Sequence, residues 1–129
     1  MRSVVICGSR RFKPEIRKFA DDLKKSGVVV YEPFLTSFGW DKWKKEHPKI
    51  PVVLATGLTL HHIDFIKQAD VCYIYNKDGY AGNSTTLEIG AAAALCKTIY
   101  VLEEDEELCR QVLYKDIVKT PHELIQLLK

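Results

Sequence analysis

The chain is expected to fold as a doubly wound α/β domain around a five-stranded parallel sheet. Short apolar runs of four or five residues recur along it, and stretches of helical periodicity lie between them. The first two runs are one helix apart, the spacing of a right-handed βαβ crossover.

Residues 3–7 (Ser-Val-Val-Ile-Cys) are apolar and stop at Gly8-Ser9, as a buried strand does. Pro14 suits the first turn of a helix running to Ser26, with Ile16, Phe19, Ala20 and Leu23 on its inner face. Gly27 is placed for a left-handed C-cap, and residues 28–31 form the second strand, closed by Pro33. Residues 34–57 look irregular, with Trp40, Trp43, Pro48 and Pro51. A connection that long suggests a lid or binding loop, or else a surface excursion with one amphipathic turn. A helix over 58–68 leads to the third strand, 71–75. The next helix, 85–96, carries Ala91–Ala94 for close packing on the sheet and ends at Lys97. Residues 98–102 are a fourth strand, 103–107 an acidic turn, 113–118 a fifth strand, and 121–129 a last helix opened by Pro121. The simplest arrangement is a Rossmann-like or flavodoxin-like sheet of order 2-1-3-4-5.

A chain of 129 residues is read as one domain, residues 1–129, able to bury a core without staples. Its 47% hydrophobic and 28% charged content is ordinary for a globular protein, and a net charge of +2 with dispersed basic residues argues against a nucleic-acid partner. No run is long and apolar enough for a membrane span, and no signal peptide is expected before the first strand. Cys7, Cys72, Cys96 and Cys109 show no Cys-x-x-Cys pairing, and three lie in apolar segments as small buried hydrophobes would. The expectation is a reduced, cytoplasmic protein without a disulfide framework or a zinc site.

In open α/β sheets ligands sit beyond the carboxyl ends of the strands, where strand order reverses. With order 2-1-3 that crevice lies between the first and third strands. It gathers Gly8, Ser9 and Arg10 from one loop, Asn76, Gly79, Tyr80, Gly82 and Ser84 from the other, and Glu88 from the following helix. There is no G-x-G-x-x-G and no G-x-x-x-x-G-K-[ST], which excludes the common dinucleotide and P-loop fingerprints. Gly79 and Gly82 could serve only to supply positive φ.

Glu88 has two readings. With Thr85 it has the spacing of a capping box, in which its carboxylate would bond back to the helix N-terminus for about 1 kcal/mol. In a crevice of hydroxyls, amides and a guanidinium it could instead attack a glycosidic carbon, whose transition state resembles an oxocarbenium ion. A helix N-terminus would favour the ionised form that a nucleophile needs.

Several segments together resemble the nucleoside 2-deoxyribosyltransferase superfamily, which includes 2'-deoxynucleoside 5'-monophosphate N-glycosidases. They are Cys7-Gly-Ser-Arg-Arg-Phe-Lys13, the His62-x7-Asp70 spacing, residues 71–76, and Gly79-Tyr-x-Gly-x-Ser-x-x-x-Glu-Ile-Gly90. The resemblance implies Glu88 as nucleophile, a covalent glycosyl-enzyme intermediate, a nucleoside or nucleotide substrate, no cofactor, and a homodimer or higher homo-oligomer. His62 stands where the monophosphate hydrolases carry an aspartate, with Asp64 two positions on. It could donate a proton to the leaving base, given an ordinary pKa near 6.5, or His61 and His62 could both be helix-surface residues. Asp70 is read as a loop-orienting or capping group.

The primary expectation is therefore an N-glycosidase of (deoxy)nucleosides or their 5'-monophosphates, with Ser9 and Arg10 holding a phosphate. A base-exchanging deoxyribosyltransferase and a nucleotide sensor without turnover are the alternatives. A phosphoribohydrolase of the cytokinin-activating type fits less well, since its Pro-Gly-Gly is missing.

Overall fold

In a computed structural model the described residues are 2–34, 45 and 50–129, without the side chains of residues 50 and 51. They build a five-stranded, wholly parallel sheet of order 2-1-3-4-5, as the alternation of elements requires. The strands are β1 (Val4–Gly8), β2 (Val30–Tyr31), β3 (Val71–Tyr75), β4 (Thr98–Val101) and β5 (Asp116–Ile117). The helices are α1 (Lys13–Lys25), α2 (Ile50–Gln68), α3 (Asn83–Ala94), α4 (Leu108–Gln111) and α5 (Pro121–Leu128).

Successive strand residues point to opposite faces, and that period of two builds two separate cores. Val4 and Ile6 of β1, with Val71 and Tyr73 of β3, face α1 and α5. There they meet Ile16, Phe19, Leu23, Leu124 and Leu128. Val5 and Cys7, with Cys72 and Ile74, face α2 and α3 and meet Ile66, Ile89 and Ala92. The residue that ends β1 on the second face is thus a cysteine.

Several boundaries move. The helix expected to start at Leu58 starts at Ile50, because Pro51 falls in its first turn, where a missing N–H breaks no helix bond. The rest of the expected middle loop, with Trp40, Trp43 and Pro48, lies outside the described residues. The helix expected at Thr85 begins at Asn83, with Gly82 as N-cap. The second and fifth strands shrink to two residues each, and α4 occupies part of the approach to β5.

Cys96 corrects another expectation: it is exposed rather than buried. It sits just past α3 at φ 58°, the left-handed position usually given to glycine. Its N–H bonds the Ala93 carbonyl at 3.0 Å, while that of Lys97 reaches back to Ala92 at 2.9 Å, closing the helix end.

Candidate active site

The Ser/Thr-x-x-Glu pattern occurs twice, and the structure separates its two uses. At Thr120 it is a true cap: Oγ1 accepts from the Glu123 N–H at 3.2 Å, and Glu123 accepts from the Lys119 N–H at 3.1 Å. At Thr85 no capping box forms, which corrects that reading of Glu88. Thr85 is already inside α3 and buried, and the N-cap is Gly82, which has no side chain to bond with. Glu88 therefore lies beyond the first turn, on the edge of the face that buries Thr85, Ile89 and Ala92.

Its carboxylate meets two other polar groups under the sheet's carboxyl edge. A Glu88 oxygen lies 3.6 Å from His62 Nε2, and Cys7 Sγ lies within 4.8 Å of both groups. Cys7 Sγ is also 3.3 Å from His62 Nε2 and 3.6 Å from Cys72 Sγ. Helical phase decides between the two histidines. His62, Ile66 and Ala69 share the buried side of the chain, whereas His61 turns outward and packs on Phe65, ring centroids 4.3 Å apart. Cys7, His62 and Glu88 each offer one ligand atom within 4.8 Å of the others, the one such grouping among the described residues.

Burial governs the charges. It pushes the Glu88 carboxyl up to about 7, against a smaller downward pull from the Cys7 thiol. The helix dipole acts mainly on the first turn, and Glu88 is past it, so the expected bias towards ionisation is lost. Burial, aided by neighbouring His61, lowers His62 to about 4. At neutral pH His62 is a neutral imidazole, not the protonated acid expected from an ordinary pKa near 6.5. The 3.6 Å contact with Glu88 is accordingly a dipolar one. The Cys7 thiol is held protonated, first by its hydrogen bond with Cys72, then by burial and by Glu88.

Above this floor opens a cleft of about 460 Å³, within the usual range for a small-molecule site. Gly8, Ser9, Arg10, His62, Tyr80, Gly82, Ser84 and Glu88 all line it, so two sequence-distant loops and two helices converge as topology requires. Gly8 is needed for close approach: a Cβ there would stand 2.9 Å from Ile16 Cδ1 and 3.1 Å from the Tyr75 carbonyl oxygen. Ser9 Oγ accepts from the Arg11 N–H at 3.3 Å, shaping the turn that carries Arg10. Arg11 stacks over Tyr80, its guanidinium carbon 3.5 Å from the ring centroid, which leaves Arg10 at the cleft. The first turn of α3 presents Asn83, Ser84 and Thr85 there, and its Gly82 cap leaves amide donors for an anion.

Asn76 and Gly79 do not line the cleft. Asn76 is fully buried and spent on the backbone of Glu103: its Nδ2 donates to the carbonyl and its Oδ1 accepts from the N–H, both at 2.9 Å. Gly79 has φ 74°, and its position is a turn beside the Glu104 carbonyl. Asp64 is exposed and accepts from Gln68 Nε2, while Asp70 accepts from the Ser3 N–H and Oγ at 2.7 and 2.9 Å. That geometry matches the orienting role expected of Asp70.

The sequence reading did not single out Cys7 for the site or the apolar wall of Pro33, Leu58, Ile63 and Leu87. The signal for Cys7 was the period of two in β1, which sets it on the face that α3 covers. A further support was read only as an acidic turn. Asp105 is buried and accepts from Arg110 Nε and NH2 (2.7 and 2.8 Å) and from Tyr114 Oη (2.7 Å). Arg110 NH1 then reaches Thr86 Oγ1 of α3 at 3.3 Å, tying the outer turn to the helix that carries Glu88.

Neither a family model nor a curated protein matches this chain. Solved structures do. A 2-deoxyribosyltransferase from Bacillus psychrosaccharolyticus superposes with a TM-score of 0.64 at 16% identity, covering 95% of this chain and 89% of its own. The CMP N-glycosidase BcmB of Clostridium botulinum superposes with a TM-score of 0.55 at 20% identity, covering 98% and 97%. The likeness is one of fold. It agrees with the sheet order 2-1-3-4-5. No described helix is long and apolar enough to cross a membrane.

Proposed function

We propose that the protein is an N-glycosidase that cleaves the base–sugar bond of a nucleoside or nucleoside 5'-monophosphate through a Glu88 nucleophile. The observation that carries this reading is a carboxylate released from helix capping and seated at the floor of a nucleotide-sized cleft. Its ionisation near pH 7 leaves a substantial nucleophilic fraction at neutral pH. The two enzymes that share the fold act on nucleosides or a nucleotide, which supports the substrate class.

Ionised Glu88 attacks the anomeric carbon as the C–N bond breaks, and the base leaves with the bonding pair and takes up a proton from solvent. Water then attacks the same carbon, the bond to the Glu88 oxygen breaks, and the carboxylate is restored. His62, neutral and adjacent, is suited to orienting Glu88 by donating from Nε2 rather than to protonating the base, and the water's proton leaves to solvent. Ser9, Arg10, Ser84 and the amides at the start of α3 would hold a phosphate or the sugar hydroxyls, and Tyr80 would flank the ligand.

A base reaching the intermediate before water would make the protein a deoxyribosyltransferase. We also propose a homo-oligomer: Val52, Val53 and Leu60 of α2 and Leu87 of α3 are exposed, an apolar surface on the helices that border the cleft. Four unpaired thiols suit a reducing compartment, the cytoplasm.

The test is chromatographic detection of free base from a panel of nucleosides and 5'-monophosphates, with and without a second base, beside Glu88→Gln. Base release lost in the variant is the expected result. Exchange that needs the added base would assign the transferase branch. Ligand-dependent stabilisation with no turnover in any mixture would refute catalysis and favour a sensor.

A further inference from the structure

We propose that Cys7 Sγ, His62 Nε2 and a Glu88 carboxylate oxygen form a zinc site at the floor of the cleft, with a fourth position facing the cavity. The geometry points to the metal's size. Zinc bonds sulfur at about 2.3 Å, and nitrogen and carboxylate oxygen at about 2.0–2.2 Å. A tetrahedron built on those bonds has ligand–ligand edges of about 3.3–3.6 Å. The sulfur-to-nitrogen edge here is 3.3 Å and the nitrogen-to-oxygen edge 3.6 Å. All three ligand atoms lie within 4.8 Å of one another.

The donor set is also selective. One sulfur, one imidazole and one carboxylate suit zinc and are a poor match for magnesium or calcium, which take oxygen ligands. The donors come from three elements of the folded framework, β1, α2 and α3, so little ordering is needed on binding. On binding, the Cys7 thiol gives its proton to solvent, as does any protonated Glu88, and no electrons are transferred. A thiolate, a carboxylate and a neutral imidazole around a dication make a site of zero net charge, which suits a buried floor.

Zinc there would occupy the carboxylate that attacks the sugar, so metal and substrate would compete for Glu88. That inhibitory consequence rests on the glycosidase reading; metal binding itself does not.

The experiment uses the full chain with exposed Cys96 and Cys109 changed to serine, stripped of metal and titrated with zinc by calorimetry. Cobalt(II) is titrated in parallel as an optical probe. The expected result is one equivalent per chain and a thiolate-to-cobalt charge-transfer band. Binding should weaken by about 100-fold or more in Cys7→Ser and in His62→Gln. Thermal melts establish that each variant is folded, and His62→Gln carries the test alone if Cys7→Ser is not. Absence of the thiolate band overturns the proposal, as does affinity that survives in the folded variants. In the base-release assay one bound equivalent should abolish turnover and a chelator should restore it; turnover unaffected by bound zinc also overturns the proposal. A chain that binds zinc as described but never releases base would retain the metal site and refute the glycosidase instead.

Discussion

Glu88→Gln should make the metal-free protein more stable in mild alkali and leave it nearly unchanged in mild acid. Glutamine keeps the volume and an acceptor oxygen but cannot ionise. Raising a carboxyl from 4.5 to about 7 makes its charged form less stable in the folded state by up to about 3 kcal/mol, at 1.36 kcal/mol for each tenfold change. The sign follows from the direction of the shift. Because the folded value lies above the unfolded one, the stability that Glu88 contributes is complete below pH 4.5 and is lost as pH rises through about 7. Its facing groups do not cancel this, since the Cys7 thiol stays protonated and His62 is neutral throughout that window. Urea denaturation with a chelator present, at about pH 5 and about pH 8, should show the variant ahead by about 2–3 kcal/mol only at the higher pH. Equal destabilisation at both would refute the reasoning and make Glu88 a structural hydrogen-bonding anchor. The expected pattern, a gain in stability with a loss of activity, is that of a site held at the expense of its scaffold.

Asp105→Asn should cost about 1–3 kcal/mol, because it leaves the part-buried Arg110 guanidinium without its carboxylate partner, and calorimetry would read this as a lower Tm. Burial alone would raise the Asp105 carboxyl, but hydrogen bonds from Arg110, Tyr114 and the Glu107 N–H hold it below its usual value. Wild-type stability from this group is therefore present above the ordinary aspartate pKa of 3.8 and falls away in stronger acid, a loss the asparagine variant should lack. Gly8→Ala should cost about 1–3 kcal/mol and raise KM, since the added Cβ presses on Ile16 and the Tyr75 carbonyl and displaces the Ser9–Arg10 turn. Denaturant melts and substrate titrations would check both effects. Cys96→Gly should stabilise by about 0.5–1 kcal/mol by relieving a left-handed cysteine at the end of α3, with unchanged kcat.

The sheet was legible because its signals are local: apolar runs, a glycine after α1, prolines at helix starts. Strand order then followed from the connections, and with it the meeting of Ser9, Arg10, Tyr80 and Glu88. What stayed hidden depends on phase and on long-range burial. Residue types alone could not choose between His61 and His62, since one residue of helical phase separates a floor group from a surface one. Asn76 carries the composition of a ligand-binding residue, yet it is consumed by Glu103 on the neighbouring strand's exit, a partner 27 positions away. The pKa of Glu88 was misjudged for a related reason. Its helix is capped at Gly82, three residues before the Thr85 cap that the motif suggests, which moves it out of the dipole's reach and onto the cleft floor.

The period of two in β1 has a consequence for motion. Cys7 belongs to a central strand hydrogen-bonded on both sides, whereas Arg10, Tyr80 and Asn83 belong to turns and a helix start. Amide hydrogens beneath Glu88 should exchange only through global unfolding, while those around the mouth exchange through local opening. A ligand entering the cleft would find a floor that does not rearrange and a rim that does. Added protection from exchange should therefore appear first at the rim, where recognition is adjustable, and leave the reacting groups where folding put them.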